Sequence, residues 1–542
     1  MKRVAITILT GAISFAVGFG LAEKHAKEAE NDMVICPEKE EEVEEEVEDN
    51  EVLPLDYTKI FMPYALPETE VKFEYDTQND RIYPVFFGFP ETYTDVPGIT
   101  TFRGNNFRNA AACGFIAPQE QKLYELYKFR IDTIKSWTGV GWVGQPGIIK
   151  WDDSVRPHLN INDAKRGKEE LVEVIYGTMD GKVYFFDLED GKFTRPPIVI
   201  GEPIKGSVTV DPRGYPLLYV GQGVNYKGRF GYHIYSLIDG EELFFINGMD
   251  GFAKRQWGAF DANPLFDVEN DMMVLCGENG LVYSIKLNTN YDKNAGTIAV
   301  EPEISKYRYA NGRGRLGIEN SPAAFLNYLF FADNGGYLQC LDLNAMEPVW
   351  MRDVTDDTDA TIVLEWDDDT HTLSLYTGCE VDFQGVGGYS YLRKINALNG
   401  ELLWEKAYPC IHHTTNGGLL ATPVLGKHDI SNLVIFWVAK PRNIPNTGGI
   451  LVALDKATGE IVWENKMPRY GWSSPVAMYT EDGESYIIVC DAGGVMYLIR
   501  GINGEIIDNI TLFGNVEASP AVYNNTIVVG TRGQYIYGIE VR

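Results

Sequence analysis

The sequence predicts an all-β chain, an eight-bladed β-propeller of four-stranded antiparallel blades, with an N-terminal transmembrane helix ahead of it. Three observations predict the propeller. One strand–turn–strand pattern recurs six times, apolar runs opened by a small or polar residue recur at eight positions, and no long amphipathic helical pattern follows residue 25.

The clearest hairpin is GGILVALDKATGEIVWENKMP, Gly448 to Pro468. Ile450–Leu454 is apolar and strand-prone, Asp455–Gly459 carries turn residues, and Ile461–Trp463 is apolar again. Relatives run from Tyr391 to Trp404 and from Tyr337 to Trp350. A fourth, at His233, keeps the Gly240-Glu241 turn and ends in Phe244; those at Val183 and Met496 keep the turn and lose the aromatic. Trp350, Trp404 and Trp463 are expected to be structural, each packing between neighbouring sheets at the outer rim.

Each hairpin follows an apolar run. Registered on the residue that opens it, usually before Pro, the anchors are Gln145, Ser207, Asn263, Ser321, Thr361, Thr422, Ser474 and Ser519. Their spacing, roughly 40 to 60 residues, is that of propeller blades. The last unit ends at Arg542 without a fourth strand, whereas Lys122–Ile131 has a fourth-strand pattern with nothing before it. Pairing the two closes the ring and removes two exposed edges.

The rest of the chain sets the setting. Net charge is −30 and the pI about 4.7, which excludes nucleic acid as a partner because phosphate binding needs clustered Lys and Arg. The seven Cys residues form no C-x-x-C, so zinc and thioredoxin-like readings fail. Lys2 and Arg3 precede an uncharged run from Val4 to Ala22, long enough to span a bilayer with the remainder outside. The rival reading is a signal peptide cleaved near Gly20 and Ala22, which would leave a secreted protein. Residues 1–22 are thus read as anchor or signal, 23–95 as an acidic spacer (Glu38–Glu51) and irregular extension, and 96–542 as the propeller. The expected location is the cell membrane, single-pass, with the propeller on the extracytoplasmic side.

The ALDKATGEIVW turn (Ala453–Trp463), the hairpins ending at Trp404 and Trp350, the Ser-Pro openings at Ser321, Ser474 and Ser519, and TTFRGNNFRNAAACG (Thr100–Gly114) together resemble the quinoprotein-type, or PQQ-like, propeller superfamily. The resemblance covers roughly residues 96–542 and implies the fold more strongly than an activity. It points to two kinds of member: PQQ-dependent dehydrogenases with calcium beside the quinone, and non-catalytic binding propellers such as the periplasmic lipoprotein of the outer-membrane barrel assembly machine.

The adjacent Cys pair of the quinoprotein alcohol dehydrogenases is missing here. Glu319, Asn320, Asp261 and Asn263 are candidate calcium and base residues by local pattern, with Trp257 or Trp472 as a flat floor. No Walker loop, Gly-x-Ser-x-Gly elbow or His-Glu-x-x-His occurs, and His412-His413 is read as a rim pair. The reading is a membrane-tethered binding or scaffold propeller for an envelope protein or cell-wall polymer, with no cofactor expected; a PQQ- and calcium-dependent dehydrogenase is the alternative. Two insertions, 150–170 and 286–315, are expected to be specificity loops, the second offering Lys306, Arg308, Arg313 and Arg315 as a ligand-binding basic patch beside Trp472 elsewhere. Finally, the residues two before the anchors are Val143, Lys205, Asp261, Glu319, Asp359, Leu420, Trp472 and Glu517. They predict an axial ring in which Asp261, Glu319, Asp359 and Glu517 could hold calcium.

Overall fold

Among the described residues eight larger sheets follow one another along the chain, built mainly from consecutive antiparallel strands; in the eighth, Ala112–Cys113 pairs in parallel with the inner strand. The computed structural model describes residues 72–542 except Val143, Lys227, Asn311 and residues 413–416. The apolar run Val4–Ala22 and the acidic spacer therefore lie outside the described residues. Among the described residues no helix is long and apolar enough to cross a membrane.

The fourth blade is the plain unit: Ala323–Phe325, Tyr328–Ala332, Tyr337–Asp342 and Glu347–Asp353, in that order from axis to rim. Others add strands to this plan. Lys72–Thr77, part of the stretch read as irregular, pairs with Glu303–Ala310 as a fifth, outer strand of the third blade. The eighth blade takes its outer strand from the N-terminal side: Leu123–Arg130 pairs antiparallel with Tyr535–Val541. This is the expected ring closure.

The recurring residues tie blade to blade. At six of the eight anchors the backbone N–H donates to the hydroxyl of the next anchor: Gln145 to Ser207, Asn263 to Ser321, Ser321 to Thr361, Thr361 to Thr422, Thr422 to Ser474 and Ser474 to Ser519, at 2.8–3.2 Å. Where the next anchor is an amide residue, its side chain closes the step. Asn263 Nδ2 donates to Ser207 O at 3.0 Å, and Gln145 Nε2 to Pro520 O at 2.8 Å. An anchor thus needs a short side-chain acceptor, which is why Ser and Thr recur.

The tryptophans provide the outer tie. Trp350, Trp404 and Trp463 are buried, and each indole N–H donates across to the next blade, to Ala397 O, Lys456 O and Gly501 O at 2.9–3.0 Å. Each ring lies on the turn glycine of that blade. A Cβ built on Gly400, Gly459 or Gly504 would come within 2.6–2.9 Å of the indole, and all three glycines have φ near +74°. The Trp strand and the Gly-Glu turn are therefore two halves of one contact, separated by a blade in sequence. In the closing blade Tyr127 takes the part of the indole against Gly191.

Thr100–Ala110 runs into the axis and carries two buried arginines, both with positive φ, 59° and 60°. Arg103 donates to Pro475 O at 2.6 Å and Pro423 O at 3.0 Å. Arg108 donates to Pro322 O and Asn263 O at 2.8 Å, and to Phe102 O and Thr101 Oγ1 within its own segment. The carbonyls that follow the anchors thus converge on two guanidinium groups, and burial holds both at about 10, below the ordinary arginine range. Cys113 is disulfide-bonded, and the other five described cysteines are free and buried.

Candidate functional site: an acidic axial cluster closed by Lys205

Opposite the arginine plug, the residues two before the anchors face the axis. Asp261, Glu278 and Glu319 offer carboxylate oxygens that all lie within 4.8 Å of one another. Lys205 enters the same group: its Nζ is 2.6 Å from Asp261 Oδ2 and 3.7 Å from Glu278 Oε1. Trp257 Nε1 donates to Glu278 Oε2 at 2.8 Å, and Asn334 Nδ2 to Glu319 Oε1 at 2.7 Å. Asp261 Oδ1 and Glu278 Oε1 are buried and have no hydrogen-bond partner among the described residues.

Asp359 adjoins this group through the Glu319 charge and meets Glu380; Asp357 lies beside it. Glu517 does not join: it accepts from Asn515 Nδ2 at 2.8 Å and faces Arg532 at 3.7 Å. Of the four carboxylates expected in a ring, three are gathered and one is set apart with its own cation. Val143 lies outside the described residues and Leu420 is buried.

The charges do not balance inside the cluster, and the titrations reflect that. Burial alone would depress the Lys205 ammonium, but Asp261, Glu278 and Glu319 overcome it and hold the group above the ordinary lysine range. Burial pushes Asp261 up to about 6 against the pull of Lys205. Burial and then the Glu319 charge push Asp359 to about 7. Glu278 and Asp357 are driven well above the carboxylate range, by burial and then by neighbouring carboxylates. These raised values fix a sign. Unfolded carboxylates titrate near 4, so between about pH 4 and 7 the folded state binds more protons and loses stability as pH rises. The urea midpoint of the wild type is expected to fall from pH 5 to pH 8, and Asp359→Asn to flatten that fall. An unaltered slope in the variant would show that Asp359 titrates normally.

Over the cluster sits an aromatic mouth. Lys205 Nζ lies 4.5 Å from the centre of the Trp142 ring, and Trp142 packs on Trp472 at 5.2 Å and on Trp137 at 6.4 Å. Trp472 Nε1 is buried without a described acceptor. A cation held by carboxylates and an indole face is thus built into the chain itself.

Glu278 and Glu380 were not among the expected site residues. Glu278 comes from the turn after its blade's second strand, as do Met179, Asn334, Ala492 and Arg532, whereas Glu380 follows the second strand of the fifth blade in a short strand, Glu380–Val381. The backbone N–H of that position donates to a carbonyl just before the ring residue: Glu278 to Ala259 O, Asn334 to Gly317 O, Glu380 to Asp357 O, Arg532 to Asn515 O. The signal was the repeated turn (CGENG, ADNGG, CDAGG), which places a second set of side chains at the axis.

The expected basic patch is corrected. Stretch 286–315 is no single loop: it holds a hairpin, Asn290–Asp292 with Thr297–Ala299, and then the fourth strand of the third blade, Glu303–Ala310. Lys306 pairs with Asp250 at 2.9 Å, Arg308 with Glu74 and Arg313 with Asp353 at 2.5 Å, and Arg315 with Asp382. Each cation has a carboxylate, so no net basic surface results. Stretch 150–170 folds onto the first blade with a short helix, Asp163–Arg166, whose Lys165 pairs with Asp187 and Asp190. His412 approaches Val381 O at 3.4 Å, and His413 lies outside the described residues.

Comparison with known proteins agrees with the fold. The family model described as outer membrane protein assembly factor BamB matches residues 447–542. Over 118 residues, 22% of this chain, the sequence is 29% identical to methanol dehydrogenase (cytochrome c) subunit 1 of Methylobacterium organophilum; the match spans 16% of that protein's length. The quinohemoprotein alcohol dehydrogenase of Comamonas testosteroni shares the fold at a TM-score of 0.53 and 12% identity, over 82% of this chain and 80% of that one. BamB of Moraxella catarrhalis is similar over 77% of this chain and 99% of its own, with a TM-score of 0.48 and 18% identity. With eight successive blades tied by their anchors, and Trp-on-Gly contacts in three of them, the chain has the eight-bladed β-propeller fold, and its residues 447–542 are similar to the PQQ-like family that the BamB model describes.

Proposed function

We propose that the chain is a non-catalytic binding propeller, tethered by its N-terminus on the extracytoplasmic side of a membrane, whose partner is an envelope protein or a cell-wall polymer. The observation that carries this reading is the position of Trp142. Its indole packs against Trp472 and against Lys205, the cation that pairs with the axial carboxylates. No adjacent Cys pair exists to cover a quinone, and Trp142 and Trp472 pack on each other at the cluster.

Calcium is a separate matter. Asp261, Glu278 and Glu319 are hard oxygen donors close enough to share one ion, and such an ion would neutralise the cluster alongside Lys205. The Cys113 disulfide supports an oxidising, extracytoplasmic setting. The match of residues 447–542 to the family model described as outer membrane protein assembly factor BamB supports a scaffold role. In the test, purified protein is incubated with PQQ and calcium and assayed for dye reduction with alcohols and sugars. No turnover above a protein-free control is expected; saturable turnover would overturn the reading.

A further inference from the structure

The chain has seven cysteines, and their states leave one pairing. Cys276, Cys340, Cys379, Cys410 and Cys490 are buried and free, whereas Cys113 is disulfide-bonded. Burial pushes the five free thiols above their ordinary range, so none is a reactive thiolate. Even Cys490, in the same core as Ala111, stays free. The sequence holds one further cysteine, Cys36, which lies outside the described residues.

Cys113 has a defined place in the fold. Ala112–Cys113 pairs in parallel with Val522–Tyr523 of the eighth blade, and the Asn524 N–H donates to Cys113 O at 2.8 Å. Tyr523 ends that inner strand on the plug side, whereas Glu517 precedes it on the acidic side. The Cys113 side chain is buried among Ile99, Ile148 and Val528. A disulfide holds its two Cα atoms within about 7 Å. Any segment bonded to Cys113 is therefore pinned to the plug face where the eighth and first blades meet.

We propose that Cys36 and Cys113 form an intrachain disulfide that staples the N-terminal segment to the plug face. The two thiols give up two protons and two electrons to a disulfide oxidant, which leaves as two thiols. The acidic run Glu38–Glu51 then falls inside a covalent loop and is no spacer between anchor and propeller. The effect on the tether rests on the proposed membrane anchor. Fourteen residues run from Ala22 to Cys36, a reach of at most about 50 Å, against fifty from Ala22 to Lys72, at most about 180 Å. The tether is therefore short, and it starts from the plug face rather than from the third blade.

The test uses the full-length chain, exported through an oxidising compartment, with a specific protease site inserted between Glu44 and Glu45. The protein is purified in detergent, its free thiols are blocked, and the site is cut. On a non-reducing denaturing gel the two pieces are expected to run as one band, and with dithiothreitol as two. Cys36→Ser is expected to give two bands without reductant and to leave Cys113 open to alkylation in urea. If Cys36→Ser fails to fold, mass mapping of the uncut chain is expected to show one peptide pair joined through Cys36 and Cys113. The proposal is overturned if the pieces separate without reductant, if Cys36→Ser still holds Cys113 in a disulfide, or if the map joins Cys113 to another cysteine or to a second chain. These readouts are taken in detergent and do not depend on the anchor. Recovery of the uncut chain in the soluble fraction of cells would count against the anchor alone.

Discussion

Arg108→Met is expected to destabilise the propeller more than any other single change on the axis. Its guanidinium joins Pro322 O of the fourth blade to Asn263 O of the third, and both to its own segment through Thr101 and Phe102. Met fills a similar volume but leaves these buried carbonyls without donors, at about 1–3 kcal/mol for each group left unsatisfied. With several carbonyls orphaned the loss should exceed about 3 kcal/mol, seen as a lower urea midpoint. Arg108→Lys, which keeps the charge but not the fork of donors, should recover only part. A midpoint unmoved by Arg108→Met would show that the plug does not tie the blades.

Trp463→Ala comes next. The ring is 8% exposed, its N–H reaches Gly501 O at 2.9 Å, and Gly504 lies against its face. Removing a buried aromatic of this kind costs about 3–5 kcal/mol. Gly504→Ala attacks the same contact from the other side. Its φ of +74° disfavours any side chain, and the added Cβ would meet Trp463 at 2.6 Å. The two changes should be strongly non-additive, because the second removes a contact already lost. Full additivity in a double-mutant cycle would mean that ring and turn act independently.

The fold could be read from the sequence because the blades reuse a small set of short-range devices, though few blades carry all of them. A hydroxyl before Pro, a turn glycine and a rim tryptophan are each visible as a residue type at a fixed place. Their partners were not visible: the acceptor for each anchor N–H and the glycine under each indole belong to the next blade. The axial site was partly legible for the same reason. Asp261, Glu319 and Asp359 share one register, and Lys205, the odd member of that series, proved to be their counter-ion. Glu278 lies in a tight turn, where an acidic residue looks like ordinary turn chemistry until the blades converge, and Glu380 opens a two-residue strand, Glu380–Val381, that carries no repeat signal. The basic patch misled because its neutralising carboxylates, Glu74 and Asp353 among them, are distant in sequence and meet it only through strand pairing and blade contacts.

Binding without catalysis rests on the occupied axial mouth, and equilibrium dialysis of the purified protein against PQQ with calcium tests that most directly. The wild type is expected to retain no PQQ above a control protein, since Trp142, Trp472 and Lys205 already pack together at the cluster. Stoichiometric, calcium-dependent retention that is lost in an Asp261→Asn, Glu319→Gln double variant would contradict it and place a quinone cofactor at the axis.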